Sequence, residues 1–464
     1  CCHAPPPQAI YRICGGVSLL EVMALQGEEH PVINQGLKAK GLLRRILGDV
    51  NSERLKRVHA RYQCTRGLWS SLACPPMQLA SGIRYREYFV AGHETFFGYY
   101  DKLPESRCGE RVLAGITTGV NSGRVNQGLL TLGFFQRGRP ESFAPVAMTA
   151  AWCWQQGSML QWFPSDSSSQ IVFNDMHSNS FCASVVDVRT KQCVQKFCRP
   201  IYAVCPRARY ALSCSFSRLH ELRPGYGYPQ IPDENRGVDA PASDGVWLLD
   251  LRNNTAELFC SLRDIARVEQ LDSMIGSRHY INHLSFSPSG ERFLFLHLWI
   301  GRGKQYSRMI VGSISGHWHI LTNSYVSHYC WGGDEEIIVY SKEHPSQLAF
   351  NRYNWTTGFV QPCFSRTDLP DGHPTFSPGG TDLLTDTYPD RLGYQRLYLL
   401  DPQGCDRELG RFFHRSSLAN DRRCDLHPRW NPSGERVYID TACKGRRRLV
   451  ELDLANVSRE GAAD

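Results

Sequence analysis

No stretch of the chain approaches the run of about 20 apolar residues that a membrane-crossing helix requires, so no membrane insertion is expected. There are 18 cysteines, yet no two are spaced C-x-x-C, which removes the zinc knuckle and the dithiol redox motif. They are too dilute for a disulfide scaffold and are read as buried thiols. A G-x-S-x-G elbow is missing, and with it a common serine-nucleophile signature. Net charge is only +7 and its densest run, Lys444 to Arg448, lacks interleaved aromatics, so no nucleic-acid partner is expected. The start has no basic segment followed by an apolar stretch, which places the chain in the cytosol unless its natural N-terminus lies further upstream. Helical periodicity is confined to Gly36 through Arg61.

What is present is a repeated hairpin. Four copies carry a histidine five residues before the first turn residue: Asn282-His283-Leu284-Ser285-Phe286-Ser287-Pro288, Ser327-His328-Tyr329-Cys330-Trp331-Gly332-Gly333, Gly372-His373-Pro374-Thr375-Phe376-Ser377-Pro378 and Leu426-His427-Pro428-Arg429-Trp430-Asn431-Pro432. Pro presets φ in these turns, Ser or Asn bonds back to the backbone, and Gly accepts positive φ. Each turn leads into a short apolar run: Phe293–Leu296, Ile337–Tyr340, Leu383–Asp386 and Val437–Asp440. Weaker copies precede Val112–Ala114, Ile171–Phe173 and Tyr210–Leu212, and outer strands recur at Val246–Leu251, Arg396–Asp401 and Arg448–Asp453. Seven units at the spacing of propeller blades predict an all-β, seven-bladed propeller of four-stranded antiparallel blades. The propeller is expected over residues 86–456, with an insertion at about 217–280 over its mouth. A partly helical or disordered extension (1–85) precedes it and a tail (457–464) follows. A closed ring hides its strand edges, so a monomer is expected.

A common register brings the histidines into one ring, where neutral imidazoles suit a divalent ion such as zinc, manganese or calcium. His283, His373 and His427 form the expected ligand set, with His328 a weaker member; in the competing reading each imidazole only caps a neighbouring loop. No organic cofactor is expected. A second candidate is Tyr202 with Arg218, which a hairpin returns to one end of the ring. Arginine pairs bidentately with a substrate carboxylate, and tyrosine can give or take a proton. From the insertion, Tyr228, Arg278 and His279 are candidate substrate contacts on a loop shaped by Gly and Pro. Trp152 and Trp154 are weighed as sugar-stacking residues but suit the core better.

The runs Gly98-Tyr99-Tyr100-Asp101-Lys102, Phe173-Asn174-Asp175, the Tyr202/Arg218 hairpin, Asn282-His283-Leu284-Ser285-Phe286-Ser287-Pro288 and Asp371-Gly372-His373-Pro374 make the chain resemble the seven-bladed propeller polysaccharide lyases. It is most similar to ulvan lyases and more distantly to oligogalacturonate lyases, over about Tyr85 to Leu454. The resemblance implies β-elimination at a uronic acid in an acidic polysaccharide or oligosaccharide. Arg218 would neutralise the C5 carboxylate, and Tyr202 would move protons at C5 and at the departing O4.

One departure stands out. Where those lyases carry a histidine pair, this chain has Gln156 and Asn174, which can hydrogen-bond a sugar but cannot serve as a base. His177 is then the nearest imidazole, so Tyr202 acts alone, His177 or His283 substitutes, or activity is lost. Two functions follow: a lyase for uronate-containing glycans, or a non-catalytic propeller that binds glycan or protein. A hydrolase would need facing carboxylates; Asp175, Asp386 and Asp440 are available, but the last two occupy equivalent repeat positions and look structural.

Overall fold

In the computed structural model, the structure describes residues 75–118, 128–344, 347–364, 369–401, 406–415, 418 and 420–455. Among these residues the strands form seven sheets, all paired antiparallel. The inner strands of blades 1 to 7 are Glu94–Phe96, Gln161–Trp162, Ala203–Val204, Arg278–Phe286, Val326–Trp331, Thr375–Phe376 and Arg429–Trp430. The expected seven-bladed propeller is therefore present, with the seven central runs named above lying in the second strands.

Those second strands read as continuous apolar runs because neighbouring blades cover both faces. In blade 4, Phe293, Leu294, Phe295 and Leu296 are all buried although alternate side chains point to opposite faces. Burying each contributes about 1.5–3 kcal/mol. The turns use their glycines as expected: Gly290, Gly380 and Gly434 sit at φ +78°, +69° and +74°. Gly290 also packs against Cys205 of the preceding blade, where a Cβ would clash with the sulfur.

Two sequence boundaries shift. The propeller begins before residue 86, because Met77–Leu79 adds a fifth strand to blade 6 and Arg84–Tyr88 pairs with Arg448–Asp453 as the outer strand of blade 7. Tyr88 donates to Glu451 at 2.7 Å, and Tyr438 bridges Glu451 to Glu105 of the neighbouring blade 1. The segment 217–280 is not one insertion. Helix α1 (Phe216–Leu222) and a long loop separate the inner and outer hairpins of blade 3, whose outer strands are Gly245–Asp250 and Thr255–Ser261; α2 (Leu262–Arg267) follows. The strands' own apolar pattern, visible at Val246–Leu251, explains why they fold into the sheet. The periodic run Gly36 to Arg61 and the tail 457–464 lie outside the described residues. Among the described residues no helix is long and apolar enough to cross a membrane.

Candidate functional site

Blade 1 fills the centre of the ring. After Phe96 its inner strand leaves the sheet at Gly98, where φ is +130° and a Cβ would stand 3.0 Å from the Gln156 backbone, so a side chain there would be crowded and strained. Tyr99 and Tyr100 then project among the other inner strands. The Tyr100 hydroxyl donates to Tyr329 O at 2.8 Å and accepts from Tyr329 N at 3.2 Å, fixing blade 1 to blade 5. The buried Arg429 holds the same excursion by donating to the Tyr99 carbonyl at 2.9 Å.

Around these tyrosines the four histidines form the expected arc. Ring centroids are 5.4 Å apart for His283 and His328, 4.3 Å for His328 and His373, and 4.3 Å for His373 and His427. Tyr99 closes the arc, 5.2 Å from His283 and 5.0 Å from His427. His283 and His427 sit at φ +53° and +46°, a conformation side chains other than glycine rarely adopt, so the fold holds both against backbone strain.

Hydrogen bonding settles which imidazole nitrogens carry protons. His328 Nδ1 lies 3.0 Å from Asp371, His373 Nδ1 2.8 Å from Asp386, and His427 Nδ1 2.8 Å from the Gly98 carbonyl. Carboxylate and carbonyl oxygens only accept, so in the neutral ring Nδ1 bears the proton and Nε2 the lone pair; the Ser327 hydroxyl, also 3.0 Å from His328 Nδ1, gives its own proton to Asp371. The Nε2 atoms of His373 and His427 are buried and have no hydrogen-bond partner among the described residues. Asp425 stands beside these two histidines, with one ligand atom from each of the three residues within 4.8 Å of the others. Two lone-pair nitrogens, each braced through its other nitrogen, plus a carboxylate are a donor set that fits a divalent cation.

Burial, followed by the neighbouring imidazoles, pushes His283 and His427 well below the usual histidine range. Burial also lowers His328, with Asp371 only partly offsetting it. Among the four His373 alone is raised: burial disfavours its charge, but Asp386, helped by Asp425 and Asp371, outweighs burial. Burial likewise opposes charge on Asp425, but a bidentate pair with Arg423, at 2.6 and 2.7 Å, holds its carboxyl well below the ordinary range. Over this floor stand Tyr226, whose ring is 6.4 Å from that of His283, and Tyr388, 5.9 Å from His373. Arg223 lies over Tyr226 at 4.9 Å and Arg423 over Tyr388 at 4.7 Å.

Several residues expected at the site from the sequence are engaged elsewhere. Arg218, on α1, has all five N–H donors on protein: Asp233 at 3.0 Å and the carbonyls of His279, Asn235, Val238 and Asp239. It pins the blade 3 loop and cannot also grip a substrate carboxylate. Tyr202 does reach the histidine arc, but its hydroxyl donates to Asn282 at 2.9 Å and accepts from Gln156 and from the His283 amide. That fills its hydrogen-bonding capacity, and burial raises its pKa well above normal, against a role as base. Asn174 bridges the Ile201 backbone and the Tyr228 hydroxyl, and Tyr228 stacks on Phe216 at 4.4 Å. Both belong to the scaffold.

His177 is exposed at the tip of a blade 2 hairpin. Arg278 pairs with Glu221, and His279 is buried 2.8 Å from His297 in blade 4. Of the expected metal set, His373 and His427 converge, whereas His283 turns its Nδ1 to the Tyr99 hydroxyl. Trp152 and Trp154 pack in the core with Phe96. Asp425 was not singled out from the sequence, and Asp371 and Tyr99 entered only within the runs that carry the family resemblance, with no role at the site. A signal existed: Asp371-Gly372-His373 and Asp425-Leu426-His427 repeat one D-x-H spacing.

No family model matches the sequence, and no curated protein matches it either. Among solved structures, the fold is similar to an oligogalacturonate lyase in complex with manganese, at 10% identity and a TM-score of 0.52, over 81% of this chain and 97% of that one. It is equally similar to an oligogalacturonate lyase from Vibrio parahaemolyticus, at 10% identity and a TM-score of 0.52, over 82% of this chain and 98% of that one. At that identity the likeness establishes the seven-bladed architecture.

Proposed function

We propose that the protein is a lyase that cleaves a uronate-containing oligosaccharide by β-elimination, assisted by a divalent ion at His373, Asp425 and His427. The observation that carries this reading is that His373 and His427, each with a buried Nε2 that has no partner among the described residues, are grouped with Asp425. The structurally similar oligogalacturonate lyase bound to manganese supports it. An ion held there would polarise the substrate carboxylate and so acidify the C5–H.

The chain's own residues supply the proton transfer. His328 presents its Nε2 lone pair while Asp371 holds Nδ1 at 3.0 Å. It takes the C5 proton, Asp371 stabilises the imidazolium, the C4–O4 bond breaks as the C4=C5 bond forms, and the imidazolium returns the proton to O4. Tyr99, Tyr226 and Tyr388 wall the site, excluding water from the carbanion.

The test is to incubate the protein with oligogalacturonate and manganese and follow the ultraviolet absorbance of the unsaturated product, with and without chelator. A rise that chelator abolishes is expected. Silence with binding intact would favour the second reading, a glycan-binding propeller, for which the engaged Tyr202 and Arg218 are the specific observation.

A further inference from the structure

With Arg218 engaged, a side-chain partner for a further uronate of the substrate, beside the one the ion would hold, must come from elsewhere, and the mouth over the histidines offers one. Arg223 follows α1 in the run Arg223-Pro224-Gly225-Tyr226 and lies over the Tyr226 ring, which itself faces His283. It bonds through Nη1 to Gln305 on the exposed hairpin of blade 4. Tyr280 lies three residues before His283 on the inner strand of blade 4. Its side chain is buried at 1% exposure, and its hydroxyl has no hydrogen-bond partner among the described residues. Burial pushes that phenol up to about 12, and the charge on Arg223 draws it back. A buried hydroxyl without a partner has lost its water and gained nothing for it, a deficit that a ligand oxygen would make good.

We propose that Arg223 and the Tyr280 hydroxyl form a carboxylate subsite that recognises a uronate of the substrate at the mouth above His283. This deepens the lyase reading and rests on it. The guanidinium faces one side of the carboxylate, Tyr280 donates to it, and Tyr226 offers its ring to the apolar face of the sugar. The pair would make the site selective for free acids over neutral or esterified sugars.

The probes are D-galacturonate, which has no glycosidic bond at O4 to break, and its uncharged methyl ester, titrated against the protein by ligand-observed NMR. Wild type is expected to prefer the acid, and Arg223→Gln and Tyr280→Phe to weaken acid binding by about 10- to 100-fold with little change for the ester. Arg223→Lys should recover part of the loss. Tyr280→Phe removes a buried hydroxyl that bonds nothing among the described residues, so its Tm should hold or rise and keep the result interpretable. If wild type prefers the acid and Arg223→Gln keeps that preference, the subsite is overturned and the lyase reading stands. If wild type binds acid and ester alike, both are overturned.

Discussion

Asp371 lies two residues before His373 yet serves His328 of the preceding blade, placing its carboxylate 3.0 Å from His328 Nδ1. His373 is instead held by Asp386, which follows in its own blade at 2.8 Å. Two imidazoles whose rings are 4.3 Å apart are thus braced by different carboxylates, and their Nε2 atoms are oriented independently. This separates the residue assigned to proton transfer from those assigned to the metal.

Asp371→Asn should therefore lower kcat by about 10²- to 10⁴-fold, because an amide neither fixes the reactive tautomer nor stabilises the imidazolium. Manganese binding, followed by calorimetry, should remain near wild type. A parallel loss of metal would show that the two histidines do not act separately.

Manganese should raise the Tm of the wild-type protein, since an ion that binds only the folded state stabilises it by about 2.7 kcal/mol at 100 times its Kd. His427→Ala and Asp425→Asn should each remove most of that shift. A thermal scan with and without manganese reads this without any substrate. An equal shift in all three proteins would place the ion elsewhere.

Arg218→Ala should act on stability rather than chemistry. It leaves Asp233 buried without its partner, and breaking such a pair costs about 3–5 kcal/mol, readable from urea unfolding. Tyr202→Phe should cost about 1–3 kcal/mol through the lost partners of Asn282, Gln156 and the His283 amide. Activity per folded molecule should fall less than about tenfold in both. A larger loss in a stably folded variant would restore their catalytic roles.

His279 and His297 give the fold an acid limit. Burial pushes His279 down to about 4, and burial with His279 and Arg308 beside it holds His297 well below its usual range. Both are neutral in the fold and titrate near their ordinary value of about 6.5 when unfolded. Below that value the unfolded chain binds protons that the fold refuses. Stability is full above it and falls toward pH 4 by about 1.4 kcal/mol per pH unit for each group. Tm measured across this window should drop, and His297→Phe should flatten the slope.

The fold was legible because its signal is repeated: Pro, Ser and Gly at fixed offsets mark each turn, and the apolar runs fall where the second strands lie. The histidine arc was legible for the same reason, since equivalent register in a closed ring means nearness. What stayed hidden depends on direction rather than position. Nothing in the spacing of Tyr202 and Arg218 says that one hydroxyl is filled by Gln156 and Asn282, or that a guanidinium is consumed by Asp233 and four carbonyls. Asp425 was passed over because a carboxylate two residues from a histidine has no fixed partner until the backbone aims it. The blade 3 excursion misled because its loop and helix sit between two hairpins of one sheet.

The pairing of Arg84–Tyr88 with Arg448–Asp453 also sets an order on synthesis. The early strand emerges from the ribosome long before its partner exists, so blade 7 cannot be completed until Arg448–Asp453 has been made. Contacts at such separation close slowly. Until then the nascent chain carries an unpaired edge at each end of an open ring, a state exposed to mispairing with its neighbours. The strand Arg448–Asp453 is therefore the one that releases the early strand from this hazard.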